Sequence, residues 1–136
     1  MATKIAARAG DEIPPLKVKV SRKLIDDFSV MANDRNPVHL NDEFARKRGF
    51  PGAIAHGAIA ASFLLRMLTK WLGSWPVKGD DLEITFISPV LVDTTVTAKG
   101  MVEAVDGQHL VCKVWCENDK GEKAIVGTAR IAPRAK

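Results

Sequence analysis

A chain of 136 residues with 46% hydrophobic and 26% charged residues is long enough for one buried core and too short for two, so residues 1–136 are expected to form a single domain. The 20 Lys and Arg against 16 Asp and Glu give a formal charge of +4, spread along the chain without Tyr or an aromatic-interleaved basic block, which argues against nucleic-acid binding. A membrane span needs about 20 mostly apolar residues and a secretory signal needs an apolar run near the N-terminus; neither pattern is found, so a cytoplasmic protein without membrane contact is expected.

In chain order, a polar arm ends at Pro14-Pro15, and "LKVKVS" then alternates as a short strand from Leu16. Ser21 offers an N-cap to "RKLIDDFSVMA", whose Leu24, Ile25, Phe28 and Met31 fall on one helical stripe. Asn33 and the Asn36-Pro37 pair end that helix, because a residue before proline is pushed out of the α region, so "NDRNPVH" reads as a loop. "NDEFARKRG" follows as one or two helical turns capped by Asn41 or Asp42 and stopped by Gly49. "HGAIAASFLLRMLTKWLG" is nonpolar over most of its circumference and reads as a buried central helix, with Met67 and Trp71 in the core. From Asp81 the period becomes that of strands: "DLEITFISPV", "TTVTAKGMVEAV", "QHLVCKVWCEN" and "KAIVGTARIA". Asp106-Gly107 and "NDKG" at Asn118 to Gly121 mark hairpin turns, giving an antiparallel meander that buries the apolar helix best by curling around it. Cys112 and Cys116 sit four apart on one strand, a span of roughly 13 Å that no disulfide bridges. They are expected as free thiols facing the core.

Two stretches carry candidate chemistry. Asp34 and His39 flank a proline that stiffens the chain, as a fixed acid–base pair requires; the same residues also suit a turn cap and a packing histidine. Gly57 opens the central helix, where unpaired N–H groups and the helix dipole make an oxyanion hole for a carbonyl gaining negative charge; it equally permits close helix-to-sheet packing, and Ser62 equally back-bonds in its helix. His109 reads as a surface residue, and Arg46, Lys47 and Arg48 as a solvated helix face. The three His and two Cys show no metal-ligand spacing.

Together "NDRNPVH" and "AIAHGAIAAS" resemble the signature segments of the MaoC-like, (R)-specific enoyl-CoA hydratase family of hot-dog proteins, and the order of elements from about Leu16 to Ile131 is similar too. The resemblance implies an α+β hot-dog fold, a curved antiparallel β-sheet wrapped around a long central α-helix, with a shorter helix and a catalytic loop before it. It places the family's Asp and His on Asp34 and His39, its oxyanion-hole Gly on Gly57 and its site Ser on Ser62, with Asn36, His56 and Ala58 on the substrate side. Asn33 stands where many members have Gly, and Ala58 where many have Met.

The implied reaction is reversible hydration of a trans-2-enoyl thioester to an (R)-3-hydroxyacyl thioester. One of Asp34 and His39 takes a proton from a shared water as it attacks the β-carbon, and the other supplies the proton to the α-carbon. The Gly57 N–H meets the enolate-like oxygen, and Ser62 orients a site group. No metal or cofactor is expected; CoA or acyl carrier protein carries the substrate, and a homodimer or higher homo-oligomer is implied. Two alternatives stand beside this. A hot-dog acyl-CoA thioesterase should carry its carboxylate on or near the central helix, yet Gly57 to Leu72 holds no Asp or Glu. A non-catalytic or partner-dependent subunit of a hetero-oligomeric dehydratase often lacks the Asp or the His, and both are present here.

Overall fold

The computed structural model describes residues 2–3 and 6–135. Its elements are β1 (Ala2–Thr3), β2 (Glu12–Val20), α1 (Arg22–Met31), α2 (Pro37–Leu40), α3 (Asp42–Lys47), α4 (Gly57–Leu72), β3 (Asp81–Phe86), β4 (Thr94–Asp106), β5 (His109–Glu117), β6 (Lys123–Ile131) and β7 (Arg134–Ala135). The period-2 segments pair into a five-stranded antiparallel sheet of order β2-β4-β5-β6-β3, and β1 pairs with β7. The meander turns at Gly107 and Gly121, with φ of 63° and 77°, the left-handed backbone that glycine adopts without a Cβ clash. The fold is the expected α+β hot-dog arrangement of sheet on helix.

Apolar residues at helical spacing dock α4 on that sheet. Ile59, Ala60, Phe63, Leu64, Met67 and Leu68 are buried, and the helix packs on β2, β4 and β5. One core results, running from Ile13 and Val20 through α4 to Ile125 and Ile131. The helix is not buried all round, as its composition suggested: Leu65 is 39% exposed, and Gly57, Ala58 and Arg66 lie on the same open side. A single sheet covers one face of a helix, so an apolar circumference is half satisfied within one copy. Among the described residues no helix is long and apolar enough to cross a membrane.

Two boundaries and one packed position differ from the sequence reading. The first long strand begins at Glu12, not Leu16, and its two prolines fall at a register shift between Ile13 and Leu16. It lies at the sheet edge, where a missing N–H disturbs the pairing least. At the other edge β3 stops at Phe86, because Pro89 cannot donate to a ladder; Ile87 and Ser88 both donate instead to the Ala124 carbonyl. In α1, capped by Ser21 as expected, the buried residues are Ile25 and Ser29, while Met31 is 75% exposed. At about 100° per residue Met31 points some 200° away from Ser29, which puts it off the packed stripe.

Cys112 and Cys116 are both fully buried, and burial pushes their thiols up to about 11 and about 12. A thiol without thiolate character is inert. Neither cysteine should react with iodoacetamide at pH 8 in the folded protein, and mass spectrometry should find both alkylated once guanidinium unfolds it.

At the far end of the sheet Arg134 closes the fold. Its Nη1 donates to Asp80 Oδ1 at 2.8 Å and to the Ala132 carbonyl at 3.2 Å, and its Nη2 to the Ser74 carbonyl at 3.2 Å. Asp80 also accepts from the backbone N–H groups of Val77 at 2.7 Å and Ala132 at 2.8 Å. The side chains of Arg134 and Asp80 are 8% and 0% exposed.

Candidate active site

Asp34 is placed by the way α1 ends. Asn33 has φ of 52°, the Asn33 N–H donates to the Val30 carbonyl at 3.2 Å, and the Asp34 N–H reaches back to the Ser29 carbonyl at 3.0 Å. This pair of bonds closes a helix with one left-handed residue, a conformation that Gly takes most readily and Asn next. The Asn33 that departs from the family's Gly therefore keeps the same turn. Asp34 emerges exposed, its carboxylate touched by the Asn36 N–H at 3.4 Å.

His39 does not lie in a loop, as its proline suggested. Asn36 Oδ1 accepts from the Val38 N–H at 3.1 Å and Pro37 takes the first helical position, so the four residues of α2 form a capped turn. The expected helix breaker thus starts a helix. His39 Nδ1 donates to the Ile54 carbonyl at 2.7 Å, and the Ile54 N–H donates to the Val38 carbonyl at 3.1 Å. With Nδ1 carrying the hydrogen, neutral His39 has its lone pair on Nε2.

The segment that holds His39 is itself anchored. The Ala53 N–H donates to Asp42 Oδ1 at 2.9 Å, and Arg22 meets the other oxygen at 3.2 Å; these contacts, the Ala53 bond foremost, outweigh burial and hold the Asp42 carboxyl below its ordinary range. The Ala55 N–H donates to the Val90 carbonyl at 2.7 Å and the Val92 N–H to the Ala53 carbonyl at 3.0 Å. α4 then starts, and its first N–H groups have no carbonyl one turn earlier.

His56, just before it, is 3% exposed and reaches the Asp34 carbonyl at 3.1 Å and Ser29 Oγ at 3.3 Å through Nε2. Its ring stacks on that of His39, with centroids 3.8 Å apart at 27°. Asp34, His39 and His56 thereby bring ligand-type atoms within 4.8 Å of one another, although they sit on separate parts of the chain. A metal was not expected from the sequence spacing, and such a triad is the kind of set one uses. The stacked rings argue against a shared ion, since imidazole lone pairs lie in the ring plane and face-to-face rings do not converge on one point.

A cavity of about 310 Å³ adjoins the start of α4, walled by His56, Gly57, Ala60, Phe50, Phe86 and Val90 among others. Its mostly apolar lining with one helix start at its edge suits an acyl group bearing one polar carbonyl. A wider hollow of about 430 Å³ lies over Glu83, Lys113, Trp115 and Lys123 on the sheet, away from the carboxylate–imidazole pair.

The other expected site residues fare unequally. Asn36 is used as the cap of α2, and Ala58 lies exposed on the first turn of α4, where Ala60 rather than Ala58 lines the cavity. Ser62 Oγ donates to the Ile59 carbonyl at 2.6 Å, the back-bond within its own helix. Arg46 donates to the Pro51 carbonyl at 3.3 Å, Lys47 pairs with Glu43 at 3.6 Å, and Arg48 lies over the Phe44 ring at 4.9 Å. Ser29 was missed altogether; the signal available was a hydroxyl four residues after Ile25 on an apolar helix stripe.

Gly57 has a second constraint. A Cβ there would meet the Phe86 ring at 3.1 and 3.2 Å, tighter than ordinary contact. Phe86 is 56% exposed and free to give way, so Gly57→Ala should fold while narrowing the cavity. Because the N–H survives, the expected cost is about tenfold in turnover efficiency, or roughly 1.4 kcal/mol. Steady-state kinetics beside a melting curve would check it.

Known proteins give an independent view. A model of the MaoC-like domain matches residues 4–131. A 3-hydroxybutyryl-CoA dehydratase of Methylorubrum extorquens is 25% identical over 111 residues, covering 82% of this chain and 71% of that one. An (R)-specific enoyl-CoA hydratase of Aeromonas caviae is 35% identical over 81 residues, covering 57% of this chain and 58% of its own. Of two further relatives this chain spans 24% and 60%. The solved structure of the (R)-hydratase from A. caviae involved in PHA biosynthesis superposes with a TM-score of 0.79 at 25% identity, covering 92% of this chain and 96% of that one.

Proposed function

Because this chain belongs to the MaoC-like domain family, we propose that it catalyses (R)-specific hydration of trans-2-enoyl thioesters, and the reverse dehydration of (R)-3-hydroxyacyl thioesters, with the acyl group carried on CoA or acyl carrier protein. The observation that carries this reading is the placement of the Asp34 carboxylate within 4.8 Å of a ring nitrogen of His39, whose Nδ1 is committed to Ile54, beside the open start of α4. The (R) outcome is drawn from the relative whose name states it.

In the proposed reaction Asp34 and His39 hold one water over the double bond. As the water oxygen bonds to the β-carbon, the pair takes a proton from it, and the π electrons move through the α-carbon onto the thioester oxygen. The N–H at Gly57 and the helix dipole stabilise that oxygen, and collapse of the enolate takes one proton from the pair at the α-carbon. One water is consumed and both groups end as they began, so the chemistry calls for no resident cofactor. Ser62 acts in this reading through the helix: its bond to Ile59 braces the turn that bears Gly57.

A homodimer belongs to the same proposal. β3 is an edge strand with Phe86 and Ile87 56% and 58% exposed at its end, and an unpaired apolar edge invites a second copy. Light scattering on the purified chain gives the mass directly.

The test is loss of enoyl absorbance from crotonyl-CoA and from a longer enoyl-CoA, with chiral analysis of the product. An (R)-3-hydroxyacyl product supports the reading. Release of free thiol without hydration would replace it with a thioesterase, a function for which α4 offers no carboxylate. Activity that appears only with a second kind of subunit would make the chain a partner-dependent half.

A further inference from the structure

We propose that His56 is a positioning residue that fixes the Asp34 backbone and the seat of the His39 ring, and so locks the acid–base pair to the start of α4; this rests on the hydration reading above. The hydrogen-bond directions can be worked out. The Asp34 carbonyl has no hydrogen, so its 3.1 Å contact is a donation from His56 Nε2–H. Ser29 Oγ gives its own hydrogen to the Ile25 carbonyl at 2.8 Å, so at 3.3 Å it too accepts from His56. The peptide groups flanking Asp34 are then held from both sides, its N–H by the Ser29 carbonyl at 3.0 Å and its C=O by His56.

The ring does a second job. Its face carries His39 at a centroid distance of 3.8 Å, and Phe28 closes another side at 4.8 Å and 59°. Because Gly57 is the next residue, one side chain ties the Asp34 backbone, the His39 imidazole and the start of α4 into a single body. Catalysis depends on such fixed spacing, and a displacement of about 1 Å can lower turnover about 10²-fold.

Packing alone is a poor explanation for an imidazole here. His56 Nδ1 is buried and meets no partner among the described residues, and burying an unpaired polar atom is unfavourable. A phenyl ring would fill the same space and stack on His39 without that penalty. What phenylalanine lacks is the Nε2–H, and the Nε2–H is the atom pair that reaches Asp34.

His56→Phe and His56→Gln separate the roles. Phe keeps an aromatic face and removes the donor; Gln restores an amide N–H near the place of Nε2 and removes the ring. The expected result is that His56→Phe melts close to the wild-type temperature, loses about 10²-fold in kcat and keeps KM within about twofold. His56→Gln should regain about tenfold of that kcat. Amide hydrogen exchange at Asp34–Asn36 should quicken in His56→Phe and not in the core of α4. Wild-type kcat in His56→Phe, a rise in KM alone, a Gln variant no better than Phe, or unchanged exchange at Asp34 would each overturn the proposal. The exchange experiment uses no substrate, so a wild-type protein that hydrates no enoyl thioester counts against the hydration reading and leaves the exchange to decide the role of His56.

Discussion

Replacing Asp34 by Asn should lower kcat for enoyl-thioester hydration by about 10²- to 10⁴-fold, the usual worth of one proton-transfer group. The substitution is mild for the fold. Asp34 is exposed, its N–H bond to the Ser29 carbonyl is backbone, and an asparagine Oδ1 still accepts from the Asn36 N–H. The melting temperature should therefore hold while turnover falls. His39→Gln should cost a similar factor, and the double variant should lose little more than either alone, because groups that hold one water act as a unit. Steady-state rates on crotonyl-CoA for the four proteins measure all of this. An Asp34→Asn protein within tenfold of wild type would remove Asp34 from the proton-transfer role.

The largest expected effect on stability lies elsewhere. Arg134→Met leaves the Asp80 carboxylate, whose side chain is 0% exposed, without its cation. Breaking a buried pair on one side typically costs about 3–5 kcal/mol, which for a domain of this size is roughly 10–20 °C in Tm. Replacing Asp80 by an apolar residue as well should not recover the loss, because the Val77 and Ala132 N–H groups that donate to it would then lack an acceptor. The pH dependence follows from Asp80. Burial alone would raise its carboxyl, but the bonds from Arg134, Val77 and Ala132 outweigh burial and hold it below the ordinary 3.8. A carboxyl depressed in the folded state stabilises fully above its unfolded value and loses that contribution as pH falls through the folded one. The gap between wild type and variant should be constant near neutrality and narrow below pH 3.8. Thermal melts from pH 7 to pH 3 would show it.

Much of the candidate site was legible because its groups are close in sequence. Asp34, Pro37 and His39 lie within a few residues, and a helix start with Gly57 is visible in apolar periodicity. The β4-β5-β6 meander also followed from period-2 strands and two glycine turns, whereas the places of β2 and β3 at its edges did not. What stayed hidden depends on distant segments meeting. His56 and Ser29 are 27 residues apart, and neither position carries a local sign that the side chains touch. Alternation in the sequence starts the first long strand at Leu16, while the strand begins at Glu12 because an edge accommodates Pro14 and Pro15 at a register shift. Pro37 marks a helix end in the sequence and is the first residue of α2 in the structure, since proline ends one helix and begins another by the same fixed φ. For Ser62 the sequence left a site role and a back-bond within the helix equally open, and the hydroxyl makes the back-bond to Ile59.

The ladder that joins Ala53 and Ala55 to Val90 and Val92 bears on how the protein comes to be active after synthesis. The turn holding Asp34 and His39 closes over a few residues and can form early, as local contacts do. The carbonyl that orients His39 belongs to Ile54, which bridges to Leu91, and bringing such distant segments together carries the entropy of closing a long loop. On refolding from denaturant, helical circular dichroism should therefore recover before hydration activity, and the delay between the two would time the docking of the strand crossover onto the catalytic turn.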